Sequence, residues 1–166
     1  MKEAPARRLV TAGGATVEID TRFEMLEVAS LGPSEEPLRA WAAASLGSDL
    51  PPPGRAVAVG TLTVMRTAPR RLLVTGEPGT RKPGGPGVTV TRTGDGFVRL
   101  ACRGPGLRQW LAAYTSLDLR PRSFGAGSVG WTGFLAVRVL LHCLDDASFD
   151  VYCPASYGED LLSQLA

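Results

Sequence analysis

Two stretches of this chain, LRAWAAASLGSDLPP from Leu38 and LRQWLAAYTSLDLRP from Leu107, align without a gap at Leu, Arg, Trp, two Ala, Asp, Leu and a final Pro. A shared Trp and a shared Asp-Leu ending are a stronger signal than matched alanines, and they read as an internal duplication. In each half the surroundings read as strand, helix, then strands. Two copies of such a unit predict an α+β fold, a mostly antiparallel sheet with helices packed on one side. The length of 166 residues suits one compact unit or two small subdomains.

Within the first half, residues 1–22 lack sustained periodicity and read as a flexible N-terminal arm with a short strand at ATVEID. FEMLEVAS reads as a strand. Ser34 is placed to cap a helix that carries Glu35 and Glu36 in its first turn and ends at Gly47, with Leu38, Trp41 and Ala42 on one face. GTLTVMRT and RRLLVTG are two further strands joined by a turn at Ala68 and Pro69. EPGTRKPGGPG, residues 77–87, has the Gly and Pro density of a flexible surface loop, and lacks the Gly-Lys-Ser/Thr ending of a phosphate-binding loop. It is expected to join two half-repeats, 23–76 and 87–166, of a single domain spanning 23–166.

The second half opens with VTVTR and FVRLACRG around Thr-Gly-Asp-Gly, a hairpin signal. Leu107, Trp110, Leu111 and Tyr114 follow at the spacing of an amphipathic helix. FLAVRVLLHCL and FDVYC form a hairpin around DDAS; pairing Leu144 with Phe149 sets Cys143 opposite Asp150. Ser156 and Glu159 have the spacing of a capping box ahead of Leu161, Leu162 and Leu165.

Composition excludes several classes of function. A net charge of +2, with its 18 Lys and Arg spread along the chain, argues against a nucleic-acid partner. The opening MKEAPARRLV lacks the apolar core of a signal peptide, so the expected location is cytoplasmic, without membrane association. Cys102, Cys143 and Cys153 show no Cys-x-x-Cys spacing and are expected as free buried thiols rather than disulfides or zinc ligands. The one histidine, His142, sits in AVRVLLHCL without a neighbouring ligand or triad member, and reads as a packing or surface strand residue.

FGAGSVGWTG, residues 124–133, carries Gly125, Gly127 and Gly130 at the spacing that holds a dinucleotide pyrophosphate, with Asp150 further on. That chemistry needs a buried strand before the glycines and a helix after them. Upstream lies LDLRPRSF, and downstream WTGFLAVRVLL has a strand pattern, while Asp150 falls inside a hairpin strand. The glycines therefore read as a turn between elements. No catalytic, cofactor-binding or metal-ligating set is expected in the chain.

SLDLRPRSFGAGSVGWT resembles the signature stretch of the gamma subunit of heterotetrameric sarcosine oxidase, with Leu117, Asp118, Leu119, Pro121, Arg122, Phe124, Gly127 and Thr132 in its places. The likeness continues through FDVYCPASYGEDLLSQL and spans roughly residues 25–165. It implies a fold similar to the folate-binding domain of glycine-cleavage aminomethyltransferases. It also implies a non-catalytic small subunit that supports assembly of a flavin-dependent sarcosine or secondary amine oxidase, with sarcosine catabolism and one-carbon metabolism as its setting. The partners would be large flavoprotein alpha and beta subunits, on which FAD, FMN, NAD and tetrahydrofolate are implied. The candidate subunit interface is Arg120, Arg122, Phe124, Gly127 and Thr132; Phe124 either joins that interface or plugs the core. The alternatives are an autonomous folate-dependent aminomethyltransferase-like enzyme, or a structural protein reusing the fold.

Overall fold

The computed structural model describes residues 8–10, 13–77 and 79–165. Its strands are β1 (Arg8–Val10), β2 (Thr16–Asp20), β3 (Glu24–Ser30), β4 (Ala56–Val59), β5 (Leu62–Ala68), β6 (Arg71–Gly76), β7 (Val88–Arg92), β8 (Phe97–Arg103), β9 (Val129–Phe134), β10 (Val137–Asp145) and β11 (Ser148–Pro154). The helices are α1 (Glu36–Leu46), α2 (Leu107–Ala112) and α3 (Gly158–Gln164). All strand pairs are antiparallel and the class is α+β, as the sequence predicts.

The chain divides into two units, one running Arg22–Asp95 and the other built from the segments either side of it. The first holds a sheet of order β4-β5-β6-β3-β7; the second a sheet of order β1-β2-β8-β11-β10-β9. Read from β9, the second sheet runs β9-β10-β11-β8-β2, the same plan as the first, with β2 in the slot that β7 fills beside β3. The duplication seen in two helices thus extends to strand order. The copies differ in where that strand comes from: β7 follows β3–β6 of its sheet in the chain, whereas β2 precedes β8–β11 of its own.

This arrangement corrects the expected hairpin between VTVTR and FVRLACRG. β7 pairs with β3, and β8 pairs with β2 and β11. A three-residue 3₁₀ turn at Gly94–Gly96 replaces a tight hairpin turn, and Thr93 donates its amide to Met25 O at 2.9 Å, holding the end of β7 on β3. The boundary expected at the loop 77–87 accordingly falls between Asp95 and Gly96. Within residues 1–22, the short strand expected at ATVEID forms as Thr16–Asp20 and is paired to Arg99–Arg103, so this part is no free arm; residues 1–7, 11 and 12 lie outside the described ones.

In the unit 22–95, Leu26, Val28, Val64, Leu72 and Val74 form an apolar sheet face, and Leu38, Trp41 and Ala42 of α1 pack on it. Alternation along each strand puts these residues on one face, and the 3–4 spacing along α1 matches it. Ser34 Oγ accepts from the Glu36 amide at 3.1 Å, and Gly47 closes the helix with φ 66°. The loop 77–87 is tied down rather than free. Trp41 Nε1 donates to Pro83 O at 2.9 Å, Lys82 Nζ to Ser45 O at 2.9 Å, and Arg81 to Glu24 at 3.0 Å. Its Gly and Pro content fits it to a close backbone approach over α1, where flexibility had been the expectation.

In the other unit, Val17, Leu100, Cys102, Val139, Leu141 and Val151 cluster with Leu107 and Leu111 of α2, with Leu161 and Leu162 of α3, and with Leu165 just beyond it. α2 ends earlier than its periodicity suggests. Ala113 and Tyr114 donate to Trp110 O and Leu111 O, tightening the last turn before the β-branched Thr115. The β10–β11 hairpin forms as expected but in a different register: Cys143 lies opposite Phe149 and His142 opposite Asp150, because a bulge between Cys143 and Asp145 takes up Leu144. All three cysteines are buried and free. The capping box at Ser156 is absent: Ala155–Tyr157 forms a 3₁₀ turn, α3 starts at Gly158, and no side chain caps it.

Two substitutions separate these readings. Trp41→Phe keeps the ring but strands the Pro83 carbonyl and should lower stability by about 1–2 kcal/mol. Ser156→Ala, at an exposed residue without a cap bond, should stay within about 0.5 kcal/mol of the parent. Urea midpoints measured side by side check both.

Candidate functional site

Arg108 organises the region that holds most of the sequence-predicted interface. α2 projects its side chain toward the loop that follows, where Nη1 donates to Leu119 O and, at 2.7 Å, to Phe124 O. Nη2 donates to Asp146 Oδ1 at 2.9 Å and reaches Cys143 Sγ at 3.4 Å, and the guanidinium carbon lies 5.0 Å from the Phe149 ring centroid. One side chain from α2 thus fixes the loop 119–124 and the tip of the β10–β11 hairpin.

The loop itself is built on Asp118. Its carboxylate accepts from the Arg120 amide at 3.1 Å, from Arg120 Nε at 2.8 Å and Nη2 at 2.6 Å, and from Ser123 Oγ at 2.7 Å. The Arg120 side chain above all, then Ser123, holds this carboxyl well below the usual range. It stays ionised throughout the working pH range and is unsuited to proton transfer near neutrality. Leu119 and Phe124 turn inward to the core. Gly125 lacks a side chain for a steric reason, since a Cβ there would stand 2.8 Å from Pro121 O.

Of the five predicted interface residues, Arg120 and Arg122 are exposed, and Arg122 has no hydrogen-bond or ion-pair partner among the described residues. Phe124 is 6% exposed and plugs the core under Arg108. Gly127, with φ 78°, donates its amide to Cys143 O at 2.7 Å. Thr132 shares a hydrogen bond of 2.8 Å with Thr115. The first three lie on one loop, while Gly127 and Thr132 are tied to β10 and to the end of α2. The glycine run leads into β9 rather than into a helix.

Beside the loop opens a groove of about 580 Å³, lined by Gly106–Gln109 and Ala112 of the α2 segment, by Leu117–Pro121 and by Asp146. Its charged groups are already matched, Arg108 with Asp146 and Arg120 with Asp118. Its remaining wall is chiefly apolar. Such a surface is suited to binding.

A second polar cluster lies in the sheet of the same unit. Asp150, buried, accepts from Arg103 at 2.6 Å and faces Arg99 at 3.7 Å, and Arg99 also pairs with Asp20. His142 stands opposite Asp150 in the register, with Nδ1 buried and without a partner among the described residues. Burial lowers its pKa, against the opposing pull of Asp150. Burial likewise pushes Cys102 up to about 12 and Cys153 up to about 11, leaving both as inert thiols. No group of three or more His, Cys, Asp or Glu able to hold a metal occurs among the described residues. No described helix is long and apolar enough to cross a membrane.

The sequence reading missed Arg108, Arg99 and Arg103. The alternation in FVRLACR carried a signal for two of them: with Val98, Leu100 and Cys102 inward, Arg99 and Arg103 must share the other face, next to whichever strand brings a carboxylate. Arg108 carried none, because two of its acceptors are backbone carbonyls and its carboxylate partner, Asp146, lies on a separate hairpin later in the chain.

Compared with known structures, the chain is similar to a chain of the heterotetrameric sarcosine oxidase from Corynebacterium sp. U-96 in complex with pyrrole 2-carboxylate. The TM-score is 0.78 at 21% identity, over 95% of this chain and 85% of that one. It is also similar to the glycine cleavage system aminomethyltransferase T from Bartonella henselae, with a TM-score of 0.59 at 14% identity, over 86% of this chain but only 43% of that one. No family model matches the sequence, and no curated sequence matches it. The fold is therefore one shared by a sarcosine oxidase chain and by part of an aminomethyltransferase, the relationship that the sequence motif implied.

Two measurements probe the site. Arg108→Met should destabilise by about 2–4 kcal/mol, because the Leu119 and Phe124 carbonyls lose their donor; thermal or urea unfolding checks this. His142 is kept neutral by the fold, whereas the unfolded chain takes up its proton near pH 6.5, so its contribution is complete above that pH. It is lost as the pH falls from 6.5 toward the folded value, with a slope of up to about 1.4 kcal/mol per pH unit. As it is the only histidine, His142→Gln should flatten the urea midpoint between pH 7.5 and 5.5.

Proposed function

We propose that this chain is a small, non-catalytic subunit of a flavin-dependent amine oxidase of the sarcosine oxidase type, and that it supports assembly. The observation that carries this reading is the fold likeness to a sarcosine oxidase chain over nearly the whole of both chains. In contrast, the chain spans 43% of the aminomethyltransferase. Supporting it are a groove whose charges are already paired and an aspartate locked in its ionised form by Arg120 and Ser123. On this reading FAD, FMN, NAD and tetrahydrofolate belong to large flavoprotein partners, and the chain works in the cytoplasm. The exposed arginines of the loop, Arg120 and Arg122, form part of the subunit interface, and Gly127 and Thr132 shape the backbone behind it. Phe124 contributes from within, by seating the loop.

The second reading, a folate-dependent aminomethyltransferase-like enzyme acting alone, draws on the second fold likeness. Co-expression with any flavoprotein subunits encoded beside this chain separates the two. The subunit reading expects a stable complex that survives gel filtration, weakened by the Arg120→Ala, Arg122→Ala double variant, and no tetrahydrofolate binding by the isolated chain in calorimetry. Saturable tetrahydrofolate binding without any association with a flavoprotein would reverse the assignment.

A further inference from the structure

The two arginines of the loop after α2 are in different states. Arg120 is committed twice over. Its guanidinium grips the Asp118 carboxylate through Nε at 2.8 Å and Nη2 at 2.6 Å, and its carbonyl accepts the amides of Ser123 and Phe124 at 2.8 and 2.9 Å. Arg122 is carried inside that turn, directly after Pro121, which lines the groove. Its side chain is exposed and has no partner among the described residues. The charges that line the groove cancel in pairs, Arg108 with Asp146 and Arg120 with Asp118. Groove and rim together therefore hold one surplus positive charge, on backbone that the turn has already fixed.

Gln109 also lines the groove, exposed and without a hydrogen-bond partner among the described residues, so its amide offers both a donor and an acceptor. The wall between these polar groups is aliphatic, with Leu107 and Leu119 buried and Ala112, Leu117 and Pro121 at least partly open. A matching occupant needs an apolar side chain for the wall, an amide for Gln109 and a carboxylate for Arg122. A polypeptide segment with an acidic residue beside an apolar one supplies all three, its backbone providing the amide. A purely apolar surface would cover Arg122 without pairing it, and a multiply charged anion would find Arg108 and Arg120 already taken.

Building on the subunit reading, we infer that the groove receives an acidic-apolar segment of the partner subunit. The apolar side chain of that segment lies between α2 and the loop 117–121, and its carboxylate pairs with Arg122 at the rim. Arg120 is a positioning residue here: it holds the turn through Asp118 and leaves the partner's charge to Arg122. Because the turn is formed before docking, little order is lost when the pair forms.

The test uses the full chain with any flavoprotein subunits encoded beside it, and reads affinity by surface plasmon resonance at low and high salt. Arg122→Glu at the rim and Ala112→Trp, which fills the groove from an exposed position, should each weaken the complex at least about tenfold at low salt. Both should keep the urea midpoint of the isolated chain. Arg122→Ala should bind less tightly than wild type at low salt and match it at high salt, where the ion pair is screened. Arg138→Glu, the same charge change at an exposed residue of β10, should leave the affinity within about twofold. Wild-type affinity in both Arg122→Glu and Ala112→Trp would overturn the inference and leave the subunit reading standing. So would an Arg122→Ala complex with the wild-type salt dependence, or an equal loss in Arg138→Glu, since the charge would then act without a specific pair. Self-association or tetrahydrofolate binding by the isolated chain, abolished in Ala112→Trp, would give the groove to a second copy or to a small ligand and overturn it as well. Absence of any wild-type complex would remove the subunit reading, and this inference with it.

Discussion

The guanidinium of Arg108 is the joint on which the candidate site depends. A loop that turns both Leu119 and Phe124 into the core must bring backbone carbonyls with them, and buried carbonyls require donors. Arg108 supplies these to both residues and uses its other nitrogen on Asp146 of the neighbouring hairpin. Because a guanidinium is planar and always charged, it can hold three acceptors at fixed angles, where a lysine would hold one point. The groove walls, the ionised Asp118 and the exposed Arg120 and Arg122 all follow from the loop being held in this form.

The matched arginine in the other copy, Arg39, is used differently. It pairs with Glu35 on the helix surface, and the role of fixing the loop after the helix passes to Arg66 of β5, which donates to Pro51 O at 3.1 Å and to Pro69 O at 2.7 Å. Both copies thus meet the same requirement, an arginine donating to carbonyls at or beside the Asp-Leu ending, from different positions in the plan. This is how a duplicated scaffold keeps its core while its surfaces diverge: the apolar pattern constrains the helix face, and the polar support is free to move.

What the sequence revealed was local. The helices, the β5–β6 and β10–β11 hairpins and the turn after Phe124 were legible because their signals, period and punctuation, lie within a few residues. The partner of VTVTR was not legible. A strand with one apolar face fits beside any strand of similar pattern, and only the whole sheet chooses β3 over β8. Nor was the register of Cys143, since a single-residue bulge has no composition of its own. The short β4, with small side chains at Ala56 and Ala58, gave too weak an alternation to register. The interface residues were half legible: exposure of the arginines follows from charge, but the inward turn of Phe124 depends on a carbonyl donor that comes from α2.

The origin of β2 at the front of the chain sets an order of events during synthesis. Residues 22–95 are contiguous, so their sheet can close as soon as β7 leaves the ribosome. The other sheet joins Thr16–Asp20 to Arg99–Arg103, and then to Ser148–Pro154. β2 must therefore wait, unpaired with β8, through the translation of an entire folded insert. Loop-closure entropy grows slowly with length, and an insert that has already folded shortens the effective loop further. Early collapse of residues 22–95 thus becomes the step that brings the two ends of the discontinuous unit within reach of each other.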